Sequence, residues 1–367
     1  MDANRPELEV KEERLREMME RLGLDAVLLR DPANVAWLSG GGRTYINIAS
    51  ESGVGSLLVT KGERYLLTDV IEAQRLSDEE GFGSGGWQVI AEPWHEKPRK
   101  LGELTAGLRV GADGSGEGLL DVKDEVARLR WLLTPEEMAR YRALGTEAGA
   151  AIGEAAREVR PGMTEFDIAG LLAGGAHRRG AVPVVVLVAT DERMRRRRHP
   201  LPTERKMERA AMLVLCARKH GLVASVTRLV HVGPPPEEMR RGMRAVAAIE
   251  AAAVLATKPR ARANDIFAVI QRAYAETGFP DEWKHHHQGG AAGYAARDYI
   301  ATPDTDYLVE DAQAFAWNPS VPGAKSEDTF LITGEGYELL TPSPGWPQQQ
   351  VQVGGVTMER PDVLEIG

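Results

Sequence analysis

The chain has 367 residues, 43% hydrophobic and 27% charged, with a formal net charge of -9. That length holds two domains with full cores, and the composition is that of a soluble globular protein. The acidic balance argues against a nucleic-acid partner, the one cysteine, Cys216, rules out an internal disulfide and suits a reducing cytoplasm, and no apolar run reaches membrane-spanning length.

The N-terminal stretch "MDANRPELEVKEERLREMMERLG" is charged from the start and has no apolar signal core. Residues 7–22 read as an amphipathic helix, followed by the strand "DAVLL". "GSLLVT-KGE-RYLLTD" reads as a hairpin turned by Lys61-Gly62-Glu63. A helical pattern near Val70–Leu76, the strand "WQVIAE" and a helix near Arg99–Leu108 complete an α/β domain, 1–119. A charged helix, "VKDEVARLRWLL", makes a linker over 120–134. A second domain, 135–367, opens on Thr134-Pro135-Glu136-Glu137, a cap with proline in the first turn and glutamate at the capping-box position.

A pattern recurs inside the second domain. "RPGMTEFDIAGLL" (160–172) lies over "KPRARANDIFAVI" (258–270) at a constant offset of 98, and each copy follows a long Ala-rich helix. The repeated order of elements indicates an internally duplicated α/β unit. Its strands are "VPVVVLVAT", "AMLVLCAR", "ASVTRLVHVG", "AFAWNPSV" and "DTFLITG…YELLT", with Lys219-His220-Gly221 and Gly334-Glu335-Gly336 turning hairpins. A mostly antiparallel sheet with helices on one side is expected.

With "HPLPTERKMERAAMLVL", "VTRLVHVG" and "SEDTFLITGEGYELLT" in this order, the chain resembles the creatinase, aminopeptidase P and prolidase family. The resemblance covers nearly the whole chain. It implies a small N-terminal creatinase-like α/β domain and a C-terminal pita-bread domain with an internal pseudo-two-fold repeat. It also implies a homodimer. Peptidases of the family hold two divalent metals with two aspartates, a histidine and two glutamates.

Carried over position by position, that set is degenerate. The second aspartate falls on Ser225, before Val226-Thr227-Arg228, and the first, eleven residues upstream, on Val214. The histidine of "GHGIG" falls on Gly290, and the glutamate of "EPG" on Asn318. Glu327 of "SEDT" alone survives. Val214 and Gly290 bring no donor atom, and Ser225 and Asn318 are neutral donors that cannot balance two divalent charges. No metal and no cofactor are therefore expected.

The run His285-His286-His287 invites a metal reading. Read as a strand end, it sends neighbouring side chains to opposite faces, so all three cannot converge on one ion. A mononuclear site from His286 or His287 with Glu327 is the residual metal reading. Cleft lining is the plainer one.

The resemblance leaves residues for metal-independent chemistry. His199, in "RRRRHPLPTERK", aligns with the family's catalytic histidine and titrates near neutrality. Glu327 becomes an acid if buried alone, a cation anchor if kept charged, or a structural partner of Arg228. Arg297 suits a substrate carboxylate, or a surface ion pair. Arg228, Asn318, Ser225, Gln288, His286 and Tyr294 are expected to contact the substrate or line its pocket. Arg195 to Arg198 read as a solvated face or an attractor for an anionic substrate. Gly40-Gly41-Gly42-Arg43 reads as a loop whose Arg43 contributes to a partner's site; it lacks the Lys-Ser/Thr of a phosphate-binding loop.

Three functions are expected in order. The first is a metal-independent, creatinase-like hydrolase of a C–N bond in a small polar, carboxylate-bearing substrate. The second is a non-catalytic pita-bread binding protein for a small molecule or short peptide. The third is an Xaa-Pro aminopeptidase or dipeptidase.

Overall fold

A computed structural model of the chain describes residues 7–367; the first six residues of the charged N-terminal stretch lie outside the described residues. The chain divides into two compact units, Met1–Glu137 with His220–Leu222, and Met138–Lys219 with Val223–Gly367. Among the described residues no helix is long and apolar enough to cross a membrane.

In the first unit, α1 (Glu7–Leu22) presents Leu15, Met18 and Met19 to the core and buries Lys11, which is neutralised by Glu137 at 2.7 Å. Strand β1 (Ala26–Leu29) is apolar on both faces because it is central. It is followed by α2 (Pro32–Ser39), capped by Asp31 and ended by Gly40 in the left-handed conformation. Strands β2 (Gly55–Thr60) and β3 (Arg64–Asp69) form the expected antiparallel hairpin. After α3 (Ala73–Glu79), β4 (Gln88–Glu92), α4 (Lys100–Leu104), β5 (Val110–Ala112), β6 (Leu119–Asp121) and α5 (Lys123–Leu129), the sheet order is β4-β3-β2-β1-β5-β6. The segment 120–134, read as a linker helix, contains the end of β6 and all of α5, and lies in this unit.

The second unit is mixed α/β and carries the repeat. Helices α6 (Pro135–Glu158) and α7 (Glu165–His177) precede β7 (Val182–Thr190), the short α8 (Arg193–Arg196), β8 (Ala210–Lys219) and β9 (Leu222–Val232). Thr164 caps α7 through a complete capping box with Asp167. Helices α9 (Glu237–Ala256) and α10 (Ala263–Glu276) then repeat the helix pair, and α10 starts 98 residues after α7. The second set of strands is β10 (Gly289–Ala292), β11 (Tyr299–Ile300), β12 (Gln313–Trp317), β13 (Ser320–Val321), β14 (Ala324–Lys325), β15 (Asp328–Thr333) and β16 (Gly336–Leu339). The chain ends on β17 (Gln348–Val353), β18 (Val356–Pro361) and β19 (Leu364–Ile366).

Not one main sheet but two result, ordered β19-β9-β8-β7 and β11-β10-β12-β15-β16, beside the two-stranded pairs β13-β14 and β17-β18. They meet at an antiparallel bridge between Thr227 and Glu327, where Thr227 N donates to Glu327 O at 3.0 Å. Beside it, Thr329 Oγ1 accepts from Ser225 N at 2.8 Å and donates to Ser225 O at 3.0 Å. One half of the repeat thus supplies Ser225 and Thr227, and the other supplies Glu327. The histidine run is not a strand end. Glu282–His285 is a turn of 3-10 helix, and the chain becomes extended only at His286.

Candidate active site

Glu327 is the centre of the seam. Its side chain is 3% exposed. Oε1 accepts from Arg297 Nη2 at 2.7 Å, and Oε2 accepts from Thr227 Oγ1 at 2.6 Å with Lys325 Nζ at 3.4 Å. Burial alone raises a carboxyl pKa. Here Lys325 and Arg297, with the Thr227 hydrogen bond, outweigh it and bring Glu327 to about 2. The carboxylate is therefore charged, and its role as a buried acid is set aside. It is not the partner of Arg228 either. That side chain pairs with Asp328 at 2.9 Å and spends its other donors on Ser343 Oγ and the carbonyls of Thr227, Thr341 and, at 3.5 Å, Glu327. Fully buried and fully occupied, Arg228 braces the strand behind the site and is not available to a substrate.

The five positions aligned with metal ligands come together as one neighbourhood only in part. Val214 lies in β8, 2% exposed, and brings only carbon. Ser225 Oγ accepts from Arg297 Nη1 at 3.3 Å and lies 3.2 Å from Cys216 Sγ. Asn318, 2% exposed, is held through its backbone N–H to Gln288 O, and its Oδ1 is buried without a partner. Gly290 has a φ of +158°, and a Cβ built there would lie 2.1 Å from Tyr299 O. No side chain fits at Gly290 without moving the backbone. A dinuclear metal centre does not fit these residues: two positions bring no donor, and a guanidinium spans Ser225 and Glu327.

Three histidines form the open side of the site. His199 Nε2 and His286 Nε2 are 3.1 Å apart, and the His286 and His287 rings stack at 4.5 Å between centroids. One potential ligand atom from each of the three lies within 4.8 Å of the others. Of the run itself, the neighbours His286 and His287 come together after the turn at Glu282–His285, while His285 stays outside the cluster, so the three consecutive histidines do not all converge. Burial and then Lys325 bring His286 down to about 2. Burial and then Arg297 bring His287 to about 4. His199 is exposed, and burial of its ring with Lys325 lowers its pKa as well. All three imidazoles are neutral at neutral pH. Glu327 is committed to its cations and is not one of the three clustered groups.

The remaining expected residues fall elsewhere. Gln288 is fully buried; its Oε1 accepts from Tyr274 at 2.7 Å and its amide donates to Trp283 O and His286 O. It fixes the histidine turn instead of lining a pocket. Tyr294 is buried, 3% exposed, just after β10. Arg43 is in the first unit, where it pairs with Glu80 at 2.8 Å. Of the arginine run, Arg195, Arg196 and Arg198 pair with Glu238, Glu192 and Glu282. A cavity of about 460 Å³ lined by Met194, Arg195, His231, Met239 and Pro322 contains none of the residues at the seam. Lys325 and Thr227 were missed as site residues. For Lys325 a signal existed: it stands two positions before Glu327 in an extended run, so both side chains share a face.

Two family descriptions match the chain: metallopeptidase family M24 over residues 139–334, and the creatinase/prolidase N-terminal domain over residues 12–117. An Xaa-Pro dipeptidase of Pyrococcus horikoshii is 23% identical over 348 residues, covering 90% of this chain and 96% of that one. An uncharacterized peptidase of Staphylococcus aureus is 23% identical over 266 residues, covering 69% and 73%. Among solved structures, the prolidase of Pyrococcus horikoshii superposes with a TM-score of 0.78 at 21% identity, covering 90% of this chain and 97% of that one. The N-terminal domain of FACT complex subunit SPT16 from Cicer arietinum superposes with a TM-score of 0.68 at 12% identity, covering 92% and 97%.

Proposed function

Because this chain belongs to metallopeptidase family M24, with a creatinase/prolidase N-terminal domain before a pita-bread domain, we propose that it is a hydrolase of a small, carboxylate-bearing C–N substrate that works without the dinuclear centre. The Xaa-Pro dipeptidases among its relatives make an Xaa-Pro dipeptide the first substrate to try; such a molecule has both the C–N bond and the carboxylate. The observation that carries the metal-free part is Arg297. Its guanidinium bonds to Ser225 and Glu327, two positions where the family resemblance expects metal ligands.

His199 is the proton carrier in this reading. It is neutral and exposed, and it faces His286 through Nε2. If Nε2–H donates to His286, His199 Nδ1 is the basic atom; it takes a proton from the attacking water and returns it to the leaving nitrogen. Glu327 stays ionised and holds Arg297 and Lys325 in place.

The test is hydrolysis of Ala-Pro and of small N-substituted amino acids by chelated protein, with and without added Mn²⁺ or Co²⁺. Turnover that survives chelation and is lost in His199→Ala supports the reading. Turnover that appears only with metal establishes the metallopeptidase reading in its place. A second reading, binding without turnover, is favoured by the commitment of Glu327 to two cations, since a fold does not by itself fix the chemistry of its site. Homodimer formation belongs with these proposals and is read by sedimentation.

A further inference from the structure

At the seam of the two sheets the positive charge is organic. Two buried cations share one buried carboxylate: Arg297 at 2.7 Å from Glu327 Oε1, and Lys325 at 3.4 Å from Oε2. Neither cation is saturated. The Arg297 side chain is 9% exposed, and its Nε–H has no acceptor. Lys325 is 4% exposed, and among the described residues its Nζ has one acceptor, Glu327, although an ammonium has three protons to place. Asp298, the next residue after Arg297, acts toward Tyr141 and Tyr299. The histidines alongside are neutral and cancel no charge. Around Glu327 itself two cations thus share one carboxylate, with donors to spare.

We propose that Arg297 and Lys325 take over the charge of the two metal ions and form a binding site for a small oxyanion, the carboxylate of the ligand. This rests on the metal-free reading above and names the group that the site takes. Charge-assisted N–H···O bonds are the strong ones, and a carboxylate that satisfies Arg297 Nε and the remaining Lys325 protons also neutralises the surplus. A divalent cation meets the opposite situation. The His199–His286–His287 cluster offers neutral nitrogens, and the one carboxylate that acts on the rings, Glu327, acts less strongly on each of them than Lys325 does, with Arg297 adding to Lys325 at His287, so a cation placed among them meets more repulsion than attraction. Of the three histidines beside the site, His199 is the exposed one.

The test uses the full chain and fluorine NMR with trifluoroacetate and its neutral counterpart trifluoroacetamide. Trifluoroacetate is expected to broaden on addition of protein and to sharpen again with excess acetate or inorganic phosphate; trifluoroacetamide is expected to stay sharp. Lys325→Gln weakens trifluoroacetate binding about tenfold, and Lys325→Arg keeps it within about threefold, since the charge is retained. Melting curves of both variants separate loss of binding from loss of fold, and the acetate competition on the unaltered protein stands without either. Equal broadening of both probes, or of neither, overturns the proposal. So does stoichiometric Mn²⁺ or Zn²⁺ retained through gel filtration and lost in His286→Asn. Anion binding without hydrolysis upholds the inference and removes the hydrolase reading; hydrolysis of neutral substrates without anion binding does the reverse.

Discussion

The Nε2 atoms of His199 and His286 face each other at 3.1 Å. Two ring nitrogens at that distance share one proton, so one ring donates and the other accepts. This pairs an exposed imidazole with one that burial holds neutral. His199→Ala is expected to lower turnover of any identified substrate by about a hundredfold or more, the usual share of a proton-transfer group. Its melting temperature should hardly change, because His199 is exposed. Unchanged kcat with raised KM would make His199 a binding residue instead.

Acid should weaken the protein early. The sign follows from the buried histidines. His286 and His287 have folded pKa values of about 2 and about 4, below the ordinary histidine value. Their neutral form is favoured by the fold, so that stabilisation is complete above about pH 6.5 and declines as pH falls through that value. Melting temperature followed from pH 7.5 to 4.5 should fall steadily. His286→Asn should flatten the profile; an equally steep profile in that variant would place the acid sensitivity elsewhere.

Glu327 contributes in a different window. Its pKa is held at about 2, so its stabilisation is present above the ordinary carboxylate range and declines below about pH 4.5. Glu327→Gln leaves Arg297 and Lys325 buried beside a neutral amide. The expected cost near pH 7 is about 3–5 kcal/mol, the range for a buried ion pair deprived of one partner. Urea unfolding of both proteins measures it, and the gap should narrow below pH 4.5.

Restoring a ligand side chain at Gly290 should fail. The Tyr299 carbonyl oxygen stands 2.1 Å from where a Cβ would be, and the Ala301 nitrogen at 3.0 Å. Both are backbone atoms of the strand paired with β10 or adjoin it, and cannot swing aside as a side-chain tip does. Gly290→Ala is expected to cost several kcal/mol, above the usual range of point substitutions of about 0.5–3 kcal/mol. Circular dichroism melting of Gly290→Ala checks this; a variant as stable as the parent would show that β10 and β11 separate easily.

The repeat was legible because its signals are local. The offset of 98 reappears in the starts of α7 and α10, and the Lys61-Gly62-Glu63 and Gly334-Glu335-Gly336 turns join the strands they were expected to join. The division into two sheets was not legible, because the bridge at Thr227 and Glu327 joins residues 100 apart. At the site, residue types were readable but partners were not. Arg297 and Glu327 are 30 residues apart, and nothing local announces that an arginine suited to a substrate carboxylate is satisfied by an internal one. The histidine run was misread for a conformational reason. A 3-10 turn has neither the alternation of a strand nor the length of a helix, so periodicity is blind to it.

The Tyr299 oxygen beside Gly290 also acts as a ratchet on the protein's history. A lost ligand that leaves an empty space is recovered by one substitution. Here the neighbouring strand occupies the space, and a histidine at Gly290 would find its place only after β11 has withdrawn. A single reversion therefore meets a steric barrier before it regains any chemistry. Selection acting one residue at a time is steered toward uses of Arg297, Lys325 and the three histidines, and away from a side-chain ligand at Gly290.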